Sequence, residues 1–390
     1  MVIKELRMKI IGVELFPIPP RTQYLKLSTD EGISGWGEAV LEGRASTVGE
    51  AVREMADWLV GRDPERIEDI WQTLHRAGFY HGGPILMSAL SGIDQALWDI
   101  KGKRYGLPVY QLLGGLVRER MQVYAWISGE TPEEAASMAR QRVTQGYKAI
   151  KMGEGATNTC FMEGYDAVEA AVKWVGAVRQ AIGDEIGLGV DFHGHLHKGV
   201  AKVVAKELEP LHPLFIEEPV LPENNEALGE IARHCNIPIA TGERMFSRWD
   251  FKRVLQEGYV DILQPDLSHA GGISEVRRIA AMAEAYDVAL APHCPLGAVA
   301  FAACLQVDFQ APNAFIQEQV LELHSPVDNP PLSMLVDPSV FRFQDGYVMP
   351  PEAPGLGIQV DEEAVRRAAE HGHRWRPPLL RARDGSVADW

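Results

Sequence analysis

The sequence predicts an α/β protein: a (β/α)8 TIM-type barrel at residues 123–336, an α+β capping domain at 1–122, and a C-terminal segment, 337–390, that completes the cap by packing back on it. Three observations carry this. From about Met121 short apolar runs alternate with helix-period segments. Titratable residues close those runs at a nearly constant interval: Asp191, Glu217 and Glu243 lie 26 residues apart, and His293 and Glu318 follow Asp266 after 27 and a further 25. No Gly-x-Gly-x-x-Gly follows an early strand, as a doubly wound dinucleotide fold would require.

In chain order, residues 8–40 read as a three-stranded meander. Met8–Ile18 is rich in β-branched and aromatic residues, Gln23–Ser28 carries Tyr24, Leu25 and Leu27, and the turn Thr29-Asp30-Glu31-Gly32 leads into Ile33–Val40. Helices follow. Ser46 offers an N-cap with Glu50 in the first turn, and Val52, Met55, Ala56 and Leu59 repeat at helical spacing. A second helix is expected over Pro64–Ala77. A third, Ile85–Lys103, is apolar on most sides and so belongs in the interior. Between these two, Gly78-Phe79-Tyr80-His81-Gly82-Gly83-Pro84 is either a tight interhelix turn or a lid whose glycines let bulky residues close over a ligand.

The barrel strands are expected at Val123–Ser128, Ala149–Met152, Ile186–Phe192, Leu214–Glu217, Ile237–Ala240, Asp261–Gln264, Val288–Ala291 and Ala314–Gln317. Seven helices lie between the eight strands, among them Thr131–Thr144, Tyr165–Ala181, Gly199–Leu208, Asn225–His234, Trp249–Gln256 and Ser274–Tyr286. The proline-rich end, Asp337–Trp390, has one helix near Asp361–Glu370 and is expected against the N-terminal meander.

Composition narrows the partners. A net charge of −16 with no long basic run disfavours nucleic acid and anionic membrane, both of which need a basic patch. No apolar run approaches the roughly 20 residues of a membrane span, and the first residues lack a signal-peptide core. The four cysteines, Cys160, Cys235, Cys294 and Cys304, form no Cys-x-x-Cys pair, which reads as reduced thiols in a cytoplasmic protein. An acidic chain that binds an acidic substrate needs a local cation, and a metal would supply one.

A barrel of this type works at the C-terminal ends of its strands. There the second strand ends in Lys151, the third in Asp191 with His193 two residues on, the fourth in Glu217-Glu218 and the fifth in Glu243-Arg244. The sixth leads to Asp266, the seventh to His293 and the eighth to Glu318. In an extended strand residues i and i+2 share a face, so Asp191 and His193 are expected side by side. The 26-residue register selects Glu217 over Glu218 as the inward acid. Asp191, Glu217 and Glu243 offer three hard oxygen ligands, suited to Mg²⁺ with positions left for substrate oxygens. Separate salt bridges, with Arg244 for example, would not explain the regular spacing. Asp266 and His293 end adjacent strands, where a carboxylate can orient an imidazole, fix its tautomer and raise its basicity as a general base. His193 stands elsewhere on the rim, so one histidine can act as base and the other as acid. His195 and His197 lie beyond it in the loop and are read as non-catalytic.

These residues resemble the enolase superfamily in its mandelate racemase-like subgroup, and within it the D-galactonate dehydratase family, over essentially the whole chain. The resemblance rests on Gly35-Trp36-Gly37-Glu38, residues 78–103, Val190-Asp191-Phe192-His193-Gly194 and Phe215-Ile216-Glu217-Glu218-Pro219-Val220. It continues through Gly242-Glu243-Arg244-Met245-Phe246-Ser247-Arg248, residues 262–272 and Ala291-Pro292-His293-Cys294-Pro295-Leu296-Gly297. It implies that Asp191, Glu217 and Glu243 bind Mg²⁺ and that His293, backed by Asp266, removes the C2 proton of a sugar acid. His193 would protonate the departing C3 hydroxyl, and Glu318 would hydrogen-bond the substrate carboxylate as it becomes an enediolate. Lys151, Arg21, Tyr80 and His81 would contact substrate, and the product would be a 2-keto-3-deoxy sugar acid. Enzymes of this kind often assemble, so a homo-oligomer is expected. Three stretches depart from the family pattern: Gly153 stands where Asn, or the second lysine of Lys-x-Lys, is usual; Thr22 replaces a bulky aromatic; and residues 154–164 differ. These changes keep another aldonate, such as D-gluconate, as an alternative to D-galactonate. A racemase or epimerase using His293 and Lys151 on opposite faces is opposed by Gly153, and a catalytically silent barrel by the retention of every rim group.

Overall fold

The computed structural model describes residues 8–153, 164–326, 330–372, 375–382 and 384–389. Its N-terminal layer is an antiparallel meander in which β1 (Ile10–Ile18) pairs with β2 (Thr22–Thr29), and β2 with β3 (Ser34–Glu38). Helices α1 (Ala45–Ala56), α2 (Ile67–Arg76), α3 (Gly83–Tyr105) and α4 (Val109–Leu113) follow. The first begins at Ala45 with Arg44 in the N-cap position and no side-chain cap, so Ser46 lies inside the helix. The long α3 has Pro84 in its first turn and ends at Gly106 in the left-handed conformation, a position where Cβ would be penalised. It is buried through most of its length and packs on β3. That approach needs glycine: a Cβ on Gly37 would sit 1.9 Å from the carbonyl oxygen of Gly92, and one on Gly35 2.0 Å from that of Ala96.

After β4 (Met121–Gln122) the chain enters the barrel. Its parallel sheet runs β5 (Ala125–Trp126), β6 (Ala149–Gly153), β7 (Gly187–Asp191), β8 (Phe215–Glu217), β9 (Ile239–Thr241), β10 (Ile262–Leu263) and β11 (Ala289–Leu290), each paired with the next. The segment expected as the eighth strand, residues 314–317, closes the ring through single bridges, Ala314 to Leu290 on one side and Gln317 to Val123 on the other. Between strands lie α5 (Pro132–Thr144), α6 (Tyr165–Ile182), α7 (Lys198–Leu208), α8 (Leu228–Ala232), α9 (Arg248–Glu257), α10 (Gly272–Glu284) and α11 (Ala298–Asp308). Every residue of α11 is buried, because it is covered by the cap as well as by the barrel. Inside the ring, Tyr124, Ala149, Phe215, Ala240, Ile262, Ala291 and Ile316 form their own apolar cluster, the floor beneath the mouth.

In the C-terminal segment, β12 (Phe343–Gln344) and β13 (Tyr347–Val348) add antiparallel to β4. Helix α12 (Glu362–His371) packs on β1, with Lys26 Nζ 2.7 Å from Glu362 and Arg366 Nη2 2.8 Å from Glu14. The chain then goes further than the meander. Trp375 lies under the Arg21 guanidinium, Pro377 lies against Gly43, and Ala388 and Asp389 line a cavity of about 420 Å³ together with Gly194, His195 and Leu221. Among the described residues no helix is long and apolar enough to cross a membrane.

The β3–α3 contact sets a stability prediction. Gly37→Ala drives a methyl into backbone that cannot turn aside, so the variant is expected to lose about 1–3 kcal/mol or more. A thermal or urea melt measures it, and an unchanged midpoint would mean that the two elements are not held this closely.

Candidate active site at the barrel mouth

Parallel pairing does the first placing. Asp191 and Glu217 are direct partners across β7 and β8, so their side chains leave the sheet side by side. Glu243 comes from the turn after β9, reached through Gly242 at φ 140°. One oxygen from each of Asp191, Glu217 and Glu243 lies within 4.8 Å of the others. Lys151 extends from β6 into this group, its Nζ 2.8 Å from Glu217, 3.2 Å from Asp191 and 2.9 Å from Glu318. Gln264 donates to Glu217 Oε2 at 2.7 Å. Three carboxylates therefore meet one ammonium, with Glu243 beside them, nearly all of it out of water. Burial, then the neighbouring Asp191, push the Glu217 carboxyl well above the usual range. Burial also lifts Glu243 to about 7 against the pull of His293. Asp191 is buried too, but His193, Lys151 and a backbone N–H hold it at about 2.

Three hard oxygen donors and an excess of negative charge suit a hard divalent cation. The unsatisfied atoms agree with this: Glu243 Oε2 is buried and takes no hydrogen bond, and Asp191 Oδ2 has only the Lys151 ammonium at 3.2 Å and the His193 ring at 3.4 Å beside it. Buried polar atoms are rarely left so.

Asp266 and His293 do meet. Nδ1 of His293 is 2.9 Å from Asp266 Oδ2, while the other Asp266 oxygen accepts from Ser268 N–H at 2.7 Å. With Nδ1–H directed at the carboxylate, Nε2 is the nitrogen left for the mouth. It lies 3.4 Å from Glu243 and 3.8 Å from Glu318. Burial works against a charged ring, but Glu243, Glu318 and Asp266 together raise its pKa well above the ordinary imidazole value. Glu318 is fixed by the N–H of Cys294 at 3.0 Å and kept ionised, despite burial, chiefly by Lys151 and His293.

His193 is beside Asp191, though not by strand alternation. The strand ends at Asp191, and His193 sits in a left-handed turn at φ 49°. That turn directs its N–H to Asp191 Oδ1 (2.9 Å) and brings Nε2 to 3.4 Å from Oδ2. The ring meets Trp126 edge-on at 5.9 Å, and its side chain is 37% exposed. Glu218 makes a similar left-handed turn, at φ 38°, and leaves the cluster for Arg244, whose Nη2 also donates to the His193 carbonyl at 3.0 Å. His197 accepts from Gly199 N–H at the start of α7.

The expected substrate contacts from the cap divide. Tyr80 is 88% exposed, and its ring meets Phe79 edge-on. His81 stacks obliquely on His75, which in turn lies on Trp71 and Trp249. Among the described contacts none joins Tyr80 or His81 to the carboxylate cluster. Arg21 reaches the base loop, donating to Pro295 O at 3.3 Å. Gly153, paired with Asp191 across β6 and β7, presents no side chain there, and most of the divergent stretch 154–164 lies outside the described residues.

Sequence reasoning missed His269. Its Nδ1 is 3.0 Å from Ser88 Oγ in the cap, and its Nε2 is 3.6 Å from Glu42 and 3.7 Å from Asp266. The Asp266–His269 spacing of i, i+3 on the turn into α10 was the available signal. Glu42, in a cap loop, had none.

Comparisons with known proteins bear on the family and the fold. Residues 134–364 match the family described as enolase C-terminal domain-like. Residues 21–114 match the mandelate racemase / muconate lactonizing enzyme N-terminal domain. The chain is 53% identical over 383 residues to a D-galactonate dehydratase of Ralstonia pickettii and 52% identical over 383 residues to one of Pectobacterium atrosepticum. In both cases the match covers 98% of this chain and 100% of the relative. Its fold superposes, with a TM-score of 0.90 and 30% identity, on an enolase of Agrobacterium radiobacter solved with sodium and L-malate bound, covering 98% of this chain and 100% of that one.

The carboxylate cluster predicts a cation-dependent stability. Mg²⁺ at about a hundred times its dissociation constant should stabilise the fold by about 2.7 kcal/mol. EDTA should reverse the shift in melting temperature, and Glu243→Gln should abolish it. A melt insensitive to Mg²⁺ would remove the cluster as a cation site.

Proposed function

The chain belongs to the enolase superfamily and is a hydro-lyase of sugar acids, and from that premise we propose that it dehydrates D-galactonate to the 2-keto-3-deoxy acid with Mg²⁺ held by Asp191, Glu217 and Glu243. The observation that carries this reading is the pair of imidazoles flanking one carboxylate cluster, His293 Nε2 beside Glu243 and His193 Nε2 beside Asp191, each at 3.4 Å. A base alone would give proton exchange or racemisation. A second proton donor on another side of the same substrate allows elimination.

A bound divalent cation supplies Lewis acidity, which makes the weakly acidic proton alpha to a carboxylate removable. His293 Nε2 takes the C2 proton, and the C–H electron pair moves into the carboxylate to give the enediolate. Asp266 holds the Nδ1–H and stabilises the imidazolium that results. Lys151 has the N–H donors that face the developing charge, and Glu318, which Lys151 and His293 keep ionised, would hydrogen-bond the substrate carboxylate as a donor only after taking up a proton. His193 then gives its proton to the C3 hydroxyl, which leaves as water while the C2–C3 double bond forms. The enol product tautomerises to the 2-keto acid, so atoms and charge balance.

The choice of D-galactonate is supported by the names of relatives 52–53% identical over their whole length, and that of a hydroxy acid bound with a cation by the sodium and L-malate in the Agrobacterium enolase. Thr22 and Gly153 make D-gluconate the second candidate. The free, buried thiols of Cys235, Cys294 and Cys304 favour the cytoplasm.

An aldonate panel with Mg²⁺ tests the function: 2-keto acid should form from D-galactonate, with D-gluconate as the comparison. If no sugar acid reacts and no C2 proton exchanges with D₂O, the reading is wrong. His293→Asn should lower both exchange and turnover by about 10²–10⁴-fold. His193→Asn should slow elimination and spare C2 exchange; equal loss of both would end the division into base and acid.

A further inference from the structure

The first N–H groups of an α-helix have no partner within it. At α11 the cap domain satisfies them. Glu38, the last residue of β3, accepts from Gly297 N–H at 2.8 Å through Oε1 and from Ala300 N–H at 3.0 Å through Oε2. The Tyr24 hydroxyl on β2 lies against the N–H groups of Ala298 and Val299. Both side chains are buried. A carboxylate in this position also meets the positive end of the helix dipole. Gly297 has an ordinary φ of −84°, yet a Cβ there would lie 2.8 and 2.9 Å from the two Glu38 oxygens and 3.1 Å from the Tyr24 hydroxyl. Close approach, rather than backbone conformation, is what glycine provides.

This contact stands directly behind the base. Only Cys294, Pro295 and Leu296 separate His293 from Gly297, and Arg21 holds Pro295 while Glu318 holds Cys294. Glu38 is itself fixed by the Thr22 hydroxyl, and its backbone N–H donates to Gln95, which donates to Ser268 Oγ at 3.1 Å, two residues from Asp266. We propose that Glu38 is a positioning residue for His293: from the cap, it closes the N-terminus of α11 and thereby sets where Nε2 stands relative to C2 of a substrate held by the barrel. The inference rests on His293 being the base of the proposed reaction. It also gives Thr22 a contact in the same network.

The test compares Glu38→Ala, Glu38→Gln, Gly297→Ala and the Ala/Ala double variant with Gln306→Leu. Gln306 joins the far end of the same helix to the cap, through Tyr110 N–H and the Leu356 carbonyl, and so reports docking alone. With the aldonate that the wild type accepts, Glu38→Ala should lower C2 exchange and turnover together by about tenfold to hundredfold while KM stays within about threefold. Glu38→Gln, keeping one acceptor, should fall between. Gly297→Ala should resemble Glu38→Ala, and the double variant should be no worse than the poorer single one, since both break one contact. Hydrogen–deuterium exchange should show the 293–301 peptide losing protection in Glu38→Ala but not in Gln306→Leu. Wild-type C2 exchange in Glu38→Ala, an equal loss in Gln306→Leu, or an unchanged 293–301 peptide would each overturn the proposal. Should Glu38→Ala fail to fold, Glu38→Gln and Gly297→Ala carry the same comparison. If the wild type acts on no sugar acid, the functional reading fails by itself, and peptide protection still decides whether Glu38 holds the base loop.

Discussion

Three carboxylates removed from water around one ammonium, with Glu243 beside them, set the terms for the rest of the mouth. Isolated buried charges cost several kcal/mol each, so an arrangement of this kind persists only if most of its charge is matched. Lys151 matches part of it, bonding Glu217, Asp191 and Glu318 at once, with the rings of Tyr124 and Trp126 5.6 and 5.4 Å from its Nζ. The buried oxygen that takes no hydrogen bond, Glu243 Oε2, is 3.4 Å from His293 Nε2, whereas Asp191 Oδ2 is shared between Lys151 at 3.2 Å and His193 at 3.4 Å. The charge that Lys151 leaves unmatched thus lies chiefly at Glu243, where a cation would bind. The same charge makes His293 basic, and a divalent cation that neutralises Glu243 would weaken that hold and free the ring to act as a base.

The sheet builds this arrangement cheaply. Parallel strands in register deliver Asp191 and Glu217 as neighbours, and each further strand contributes a residue at its own end. The turns just beyond the strands supply what the strands cannot. Left-handed residues are uncommon outside glycine, yet His193 and Glu218 both adopt that conformation one or two residues past adjoining strands. One turn brings an imidazole back over Asp191. The other takes a carboxylate away to Arg244 and so limits the charge inside.

These two turns also mark where sequence reading stopped. The 26-residue period exposed Asp191, Glu217 and Glu243, because a repeat of strand and helix is a repeat of the whole unit and survives any loop geometry. It also singled out Glu217, which faces the cluster, over Glu218, which turns to Arg244. The position of His193 was legible but its cause was not, since strand alternation and a left-handed turn both put residue i+2 near residue i. The eighth strand was legible as an apolar run, although it pairs only through single bridges. Contacts made by cap loops were not legible. Glu42 and His269 meet across more than two hundred residues, and Tyr80, chemically suited to a lid, stands in solvent. No periodicity links such positions; only the packing of cap on barrel does.

That packing is uneven, and the unevenness has a consequence for how cap and barrel share the work. Ser88, Ser91, Asp94 and Gln95 of α3 bond the chain between Ser268 and Ser274, which follows Asp266, and Glu38 and Arg21 bond the chain that follows His293. The loop that follows Asp191, with His193 at its start, instead shares a cavity with Ala388 and Asp389 of the C-terminal segment. The His293 side of the mouth is therefore braced by the cap, and the His193 side borders the tail. A cap that only covered the substrate could drift by an ångström without affecting the chemistry. A cap that also closes the helix behind His293 cannot, if that ring is the base of the proposed reaction, because proton transfer tolerates little error in distance. On the proposed mechanism, substitutions in the cap that alter which sugar acid fits would alter the rate of C2 proton removal as well, even though both histidines proposed to move protons belong to the barrel.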